Sequence, residues 1–509
     1  MDNIYDIPNE KFEFAENGAS INEQKLPTKR ISFARDVFRR FCKNRSSVIA
    51  AVIIVLLVAF AVFVPFFAST SYTSVPEDTR YLEYKQLLPK SKLFSPLGIW
   101  DGTSKKTLNR DSYNYWRAFE AETDSAVIKE VYRDAYKSEG SPSSTLYYDV
   151  KFDSYTGNGM TFLVLTEEEF LDIQAWQKES GLQVIYPAVD TSNIPSQHAS
   201  DANIYYHATR TGAPLYSGGE IQTSYLSSGP EDGYDSLRID GDDGSYRYAK
   251  VGGTADSKSY TVRVYKYNYF IYRYGFEPSF LLGTTEVGQD ILSRLASAAR
   301  FSLIFAVCIS AVNLFIGAII GALEGYYGGT FDLIMERVLD ILGGVPTMVV
   351  MALFQLYLAS RVGPVLSMAF AFILTGWIGM ASRTRMQFYR YKRQEYVLAA
   401  RTLGAGDKRL MFRHIFPNAI GTLITGSVLT IPGVIFSESS LTYLGIVNLN
   451  SSTMTSVGTM LANGRSTYTT FPHIIFFPAL FLALLEISFN LFGNGLRDAF
   501  NPSLKGADD

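Results

Sequence analysis

SSVIAAVIIVLLVAFAVFVPFFA, residues 46–68, runs for 23 residues without a charge. At 1.5 Å per residue, about 20 helical residues cross the roughly 30 Å of bilayer hydrocarbon. Further uncharged runs stand at 301–323, 341–360, 362–382, 415–437 and 466–485. A soluble protein would have to bury six such runs as core helices in one chain, so the pattern predicts an all-α polytopic membrane protein with six transmembrane helices. The 509 residues carry 46 Lys+Arg against 49 Asp+Glu, with 47% hydrophobic and 19% charged. That balance excludes a highly charged disordered chain and gives no reason to expect a nucleic-acid partner.

Charge sets the topology. Between Lys25 and Arg45 there are eight basic residues and one acid, Asp36, which by the positive-inside bias places the N-terminus in the cytoplasm. About 45 mostly polar residues precede the first run, so it reads as a retained anchor and not a signal peptide. The alternation of spans then predicts a cytoplasmic segment at 383–417, and that segment holds nine bases against Glu395 and Asp407. Six spans return the C-terminal tail to the cytoplasm. The expected organisation is a cytoplasmic tail with an amphipathic helix (1–47), a first transmembrane helix (48–68), an extracellular block (69–279), a five-helix membrane core (280–495) and a cytoplasmic tail (496–509).

The block at 69–279 carries 29 acids, 21 bases and 24 of the 33 tyrosines. Turn signals such as Gly157-Asn158-Gly159 mark it as a folded domain on the extracellular side, and its expected helices and strands give an α+β reading. Thr166 followed by Glu169 predicts a capping box opening a helix that ends before Gly181, and a second helix is expected over 113–138. Strands are expected at 146–152, 182–186, 246–251 and 260–274, the last changing phase near Tyr265, which predicts a bulge or two strands there. Asp240, Asp242 and Asp243 lack the spacing of a calcium loop, and His198 and His207 lack metal-ligand spacing, so no metal site is expected. Cys42 and Cys308 lie in the basic tail and in an apolar run, so the block is expected to fold without a disulfide, as suits a cell surface lacking disulfide-forming machinery.

The sequence has no Gly-Lys-Ser/Thr phosphate loop, no HExxH and no GxSxG, so no catalytic residue is assigned. A transporter of this build has to use an ion gradient or borrow an ATPase. The segment from Glu395, EYVLAARTLGAGDKRLMFRHIFPNA, bears on that choice. It predicts a short amphipathic helix, a glycine-rich bend at 404–406, a second helical stretch and Pro417 near membrane re-entry. Ala399 and Ala400 leave a shallow surface suited to a partner's groove, while Arg401, Lys408, Arg409 and Arg413 can pair with its acids. A basic amphipathic loop of this kind also suits a lipid-headgroup contact.

The wording of the loop closely resembles the coupling loop of the C-type permeases of the oligopeptide/dipeptide/nickel ABC importers. The likeness is carried by Glu395, Tyr396, Val397, Ala399, Ala400, Gly404, Ala405, Phe412, Arg413, His414, Ile415, Pro417 and Asn418. Leu398 departs from the family's usual Glu. LGTTEVGQDILSR at 282–294 is similar to the family's LGTDxxGRDxxSR, with Thr285 and Gln289 as departures. Glu438, Leu441, Leu444, Gly445, Gly458, Met460 and Leu461 follow an external loop of the family. FNLFGNGLRDAFNP at 489–502 is similar to its C-terminal signature, and 35–45 resembles its N-terminal helix. The block at 69–279 has no counterpart in ordinary members, whose loop there is much shorter.

The resemblance implies a type I ABC importer permease fold in a bacterial plasma membrane. It implies no cofactor in this chain, with ATP and Mg bound by two cytoplasmic ATPase subunits. The other partners would be a second permease subunit of the same family, an extracellular peptide-binding lipoprotein and membrane lipid. Glu395, Ala399, Ala400, Arg401, Gly404, Ala405 and Arg413 would form the ATPase-coupling tip. Oligopeptides or dipeptides are the implied cargo, with nickel, glutathione or another small solute left open. An exporter or mechanotransducing permease places an ectodomain of this size after its first span, but has four spans and lacks such a loop. Glu486, ionisable inside an apolar run, is the candidate for the substrate path, and a pairing inside the bundle suits it equally. Gly343, Gly344, Pro346, Gly426, Pro432 and Gly433 are candidate packing or kink positions.

Overall fold

The computed structural model describes residues 33–67, 84–137, 146–188, 202–203, 216–217, 220–221, 245–254, 257–449 and 455–500. His198, His207 and the Asp240 to Asp243 turn lie outside them. Two helices open the chain, α1 (Phe33–Lys43) and α2 (Arg45–Phe67). Apolar residues surround α2 on all sides, as expected of a helix bounded by lipid and protein rather than water.

The inserted block is built from β1 (Thr103–Asn109), α3 (Arg110–Thr123), β2 (Ile128–Lys137), β3 (Leu146–Asp153), β4 (Met160–Thr166), α4 (Glu167–Ser180), β5 (Ile185–Tyr186), β6 (Tyr216–Ser217), β7 (Glu220–Ile221), β8 (Ala249–Thr254), β9 (Ser257–Tyr265) and α5 (Lys266–Tyr274). One antiparallel sheet has the order β1-β3-β2; in the other, β9 pairs with β4, β5 and β8, while β6 and β7 form a small hairpin. Trp116, Phe119, Val150, Phe152 and Tyr265 pack into one core across these elements. The buried Arg263 guanidinium on β9 meets the Glu122 carboxylate of α3 at 2.6 and 3.1 Å and donates to the Ala202 carbonyl at 2.7 Å. Removing either member of such a pair would strand an uncompensated buried charge.

The Thr166–Glu169 capping box forms as expected, and Gly181, with φ 73°, ends α4. The helix expected over 113–138 is corrected: it stops at Thr123 with Asp124 in the left-handed region at φ 51°, and Ile128–Lys137 is a strand. The Glu120 carboxylate accepts from Val127 N (2.7 Å) and Ile128 N (2.6 Å), turning the chain so that β2 pairs with β3. The strand expected over 260–274 is corrected: β9 ends at Tyr265 and Lys266–Tyr274 is the helix α5, so the phase change near Tyr265 marks a strand-to-helix junction and not a bulge or a second strand. The strand expected over 182–186 shortens to β5, and that over 246–251 shifts to β8.

The membrane region comprises α6 (Ile291–Tyr327), α7 (Gly329–Gly343), α8 (Thr347–Tyr357), α9 (Ala359–Val362), α10 (Pro364–Gly376), α11 (Ile378–Lys392), α12 (Glu395–Thr402), α13 (Asp407–Arg409), a π-turn (Leu410–Ile415), α14 (Phe416–Tyr443), α15 (Val457–Gly464) and α16 (His473–Phe500). Among the described residues five helical segments are long and apolar enough to cross a membrane, or six when the pair α7–α8, bent by 73°, counts as one span. The break falls at Gly344-Val345-Pro346, where proline lacks the N–H a continuous helix needs. The final helix continues to Phe500, past the expected core boundary at 495.

α6 and α11 touch backbone to backbone. A Cβ on Gly317 would stand 2.7 Å from Met380 Cβ and 2.8 Å from Ala381 N; on Gly325 it would stand 2.6 Å from Phe388 Cβ. Gly321, between them, faces the Ala381 carbonyl more closely still. This is a small residue at every fourth position, the arrangement that lets membrane helices approach closely. Toward the other end of the bundle, the buried Glu438 accepts from Ser302 (3.0 Å), Ser439 (3.4 Å) and Thr442 (3.2 Å), tying α14 to α6. Glu438→Leu would take this acceptor from Ser302 and Ser439, while Thr442 keeps its 3.0 Å bond to the Glu438 backbone carbonyl, and is expected to cost roughly 2–4 kcal/mol. Glu438→Gln, which keeps an acceptor oxygen, should cost less than half of that. Thermal unfolding in detergent checks the order, and equal losses in both variants would contradict it.

Candidate functional site

The 37 residues of α6 extend about 55 Å, beyond the hydrocarbon thickness, so its last turns project toward the loop between α11 and α14. There Tyr326 packs with Ala322, Phe388, Val397, Leu410, Met411 and Ile415. The Tyr326 hydroxyl donates to Asp407 at 2.5 Å, and Arg401 lies 3.4 Å from that hydroxyl and over its ring. Lys392 donates to the carbonyls of Gly325 (3.3 Å) and Tyr326 (2.7 Å), placing a cation where α6 presents unsatisfied carbonyls. Next to it, Arg385 of α11 makes a bidentate pair with Asp332 of α7 (2.6 and 2.8 Å) and a second with Glu336 (2.9 and 3.2 Å), and Tyr389 donates to Asp332. Three helices and the loop are thereby clamped together.

The loop's shape follows from its residues. Gly404, at φ 83°, ends α12 in the left-handed conformation. Ala405 N donates to Ala400 O and Gly404 N to Arg401 O, both at 3.0 Å, which is the Schellman pattern. Its apolar contact is supplied by Ala400 and Ala405, both turned against the Val397 cluster. A π-turn then leads into α14, and Asn418 donates to the Tyr396 hydroxyl at 3.1 Å and to His414 O at 2.8 Å.

α12 therefore has two faces. Val397 and Ala400 point inward. Glu395, Leu398, Ala399, Thr402 and Leu403 point outward at helical spacing, and Leu403 is 88% exposed. Of the residues expected at the tip, Glu395, Ala399, Arg401, Gly404 and Arg413 are exposed, while Ala400 and Ala405 are half-buried in the loop's own packing. Leu398 and Leu403 were missed. The signal was their spacing of three and four residues from Glu395 and Ala399 on a helix whose other face is apolar.

Beside the loop, a cavity of about 790 Å³ opens between α11, α14 and α16, lined by Arg383, Arg390, Gln387, Asn418, Gly426 and Arg497 among others. Glu486 is not among its lining residues; it is half-buried on α16, with Oε1 buried and unpartnered. Of the glycines singled out in the spans, Gly426 is held close by Arg383 Nη1, whereas Gly343 and Gly433 have open space. The described residues contain no group of three or more His, Cys, Asp or Glu placed to hold a metal ion.

Residues 292–506 match the family of binding-protein-dependent transport system inner membrane components, and residues 32–89 match the N-terminal TM domain of oligopeptide transport permease C. The chain is 40% identical over 223 residues to the oligopeptide transport system permease protein OppC of Bacillus subtilis (strain 168), covering 44% of this chain and 72% of that relative. It is 37% identical over 225 residues to the dipeptide transport system permease protein DppC of the same organism, covering 44% and 68%. It is 35% identical over 221 residues to the OppC of Haemophilus influenzae (strain ATCC 51907 / DSM 11121 / KW20 / Rd), covering 43% and 69%. Both sheets of the inserted block lie between the two matched ranges.

Proposed function

Because this chain belongs to the family of binding-protein-dependent oligopeptide and dipeptide transport permeases, we propose that it forms half of the translocation pathway of an ATP-driven importer of oligopeptides or dipeptides. Read as six spans with the bent α7–α8 pair as the third, the chain would have both termini and the coupling loop in the cytoplasm and residues 69–279 outside the cell. The second half of the pathway is another permease of the same family, and peptide arrives on an extracellular binding protein anchored to the membrane. ATP and Mg belong to two cytoplasmic ATPase subunits.

The observation that carries this reading is the outward face of α12. Glu395, Leu398, Ala399, Thr402 and Leu403 form a small, partly apolar surface on a helix packed against α6 and α11. A helix laid into a groove is a recurrent recognition mode, and its rigid attachment to the spans lets a push at the loop move them as a body. The basic cavity beside the loop suits the inner part of a path that accepts a peptide carboxylate, through Arg383, Arg390 and Arg497. Ala399→Cys in the intact complex tests the reading: a short thiol crosslinker should join it to an ATPase chain identified by mass spectrometry, and an impermeant thiol reagent should reach it only after cells are opened. Adducts restricted to lipid, or labelling of intact cells, would overturn it.

A further inference from the structure

Just before β1, the segment from Leu93 to Trp100 turns through one short 3₁₀ turn (Ser95–Leu97) closed by Gly98 at φ 72°. Its apolar side chains face away from the protein: Leu93 is 76% exposed, Leu97 71% and Ile99 57%, with Phe94 also exposed. The loop is nevertheless tied down, because Ser91 N donates to Trp100 O at 2.8 Å, Gly98 N to Ser95 O at 3.0 Å and Ser95 Oγ to Trp100 O at 3.3 Å. Other exposed apolar residues of the block, such as Val164 and Val251, sit singly and need no explanation. Four in seven consecutive positions form a patch, which calls for a covering partner.

A second observation fixes the height of this patch. The Trp100 ring packs edge-on against Phe94 (5.5 Å) and against Phe477 of α16 (6.1 Å). On the preceding residue begins the exposed stripe of α16: Phe476, Leu480, Leu484, Ile487 and Leu491, spaced by three and four. From Phe476 to Leu491 the stripe extends about 22 Å, some three quarters of the roughly 30 Å of hydrocarbon, and we take it as the lipid-facing side of the span. Trp100 therefore touches α16 at the end of its lipid-facing surface, the level at which tryptophan rings concentrate in membrane proteins.

We propose that the Leu93–Trp100 loop is an interfacial anchor that inserts Leu93, Phe94, Leu97 and Ile99 into the bilayer leaflet next to the inserted domain. Trp100 lies at the headgroup boundary, and the exposed Lys92 faces the lipid phosphates. The occupant of the patch is phospholipid, because the patch continues the lipid-facing surface of α16. The anchor fixes the inserted domain in height and tilt over the helices.

The test uses the full-length chain in its complex, reconstituted into nanodiscs of phosphatidylethanolamine and phosphatidylglycerol. With Cys42→Ser and Cys308→Ser as background, a nitroxide on Leu97→Cys is compared with one on Leu484→Cys in the lipid-facing stripe and one on Glu179→Cys, exposed on α4. The Leu97 label should resemble the Leu484 label, with oxygen relaxing it several-fold more than a water-soluble nickel chelate. Behaviour like that of the Glu179 label overturns the proposal. A benzophenone amino acid in place of Leu93 supplies a second readout: phospholipid adducts support the anchor, and adducts to a protein partner overturn it.

Discussion

Leu403→Asp should lower ATP-driven peptide uptake by the assembled complex at least tenfold while leaving the permease folded and inserted. Leu403 is 88% exposed, so the fold of the isolated chain places no demand on it. It caps the outward stripe of α12, beginning at Glu395, and sits directly before the left-handed Gly404 that ends the helix. Docking of this face into an ATPase groove would remove a leucine from water, worth about 2 kcal/mol, or roughly 30-fold in association. Aspartate forfeits that gain and adds the cost of desolvating a carboxylate in the groove. Leu403→Met, similar in volume and apolar, should keep most of the uptake. Reconstituted transport and retention of the ATPase subunits on the purified permease are the measurements. Normal uptake by Leu403→Asp at normal assembly would remove α12 from the coupling surface.

Much of the architecture was legible because it rests on signals that act locally. A charge-free run of 23 residues has few alternatives to a span, and the Thr166–Glu169 pair can satisfy two orphan amides whatever surrounds it. The failures lie where tertiary pairing decides. Ile128–Lys137 places Val131, Tyr132, Ala135 and Tyr136 at helical spacing, yet Glu120 turns the chain before it and β3 offers a hydrogen-bonding edge, so a strand wins. The run at 341–360 reads as one helix until the rigid ring of Pro346 and the bend it forces are counted. At the loop, the sequence located the segment but not its orientation. Ala399 and Ala400 are chemically identical neighbours, and only the packing of Val397 and Ala405 beneath α12 turns one outward and the other inward. Leu403 was overlooked because an apolar residue beside a glycine bend reads as core.

Gly321→Leu should be the most damaging single change in the membrane region. The sequence offered Gly343 and Gly433 among its candidate packing or kink positions, but a side chain there would meet open space. Among the glycines with no room, Gly317, Gly321 and Gly325 stand spaced by four along α6 and seated on α11. At Gly321 a Cβ would collide with the Ala381 carbonyl, a backbone atom that cannot rotate away as a side chain can. Relief requires the two helices to separate, and separation also pulls Tyr326 from Phe388 and from the cluster that seats the coupling loop. The cost should exceed the roughly 1–3 kcal/mol of ordinary core overpacking. At about 2–4 °C per kcal/mol, a loss of 3 kcal/mol corresponds to a fall of roughly 6–12 °C in Tm. Gly433→Ala serves as the comparison: it should raise Tm by no more than about 4 °C, since an exposed-helix Gly→Ala change is worth only about 1 kcal/mol and in the stabilising direction. If instead Gly321→Leu melted like the unaltered protein and Gly433→Ala did not, the close contact of α6 with α11 would not be what holds the loop to the spans.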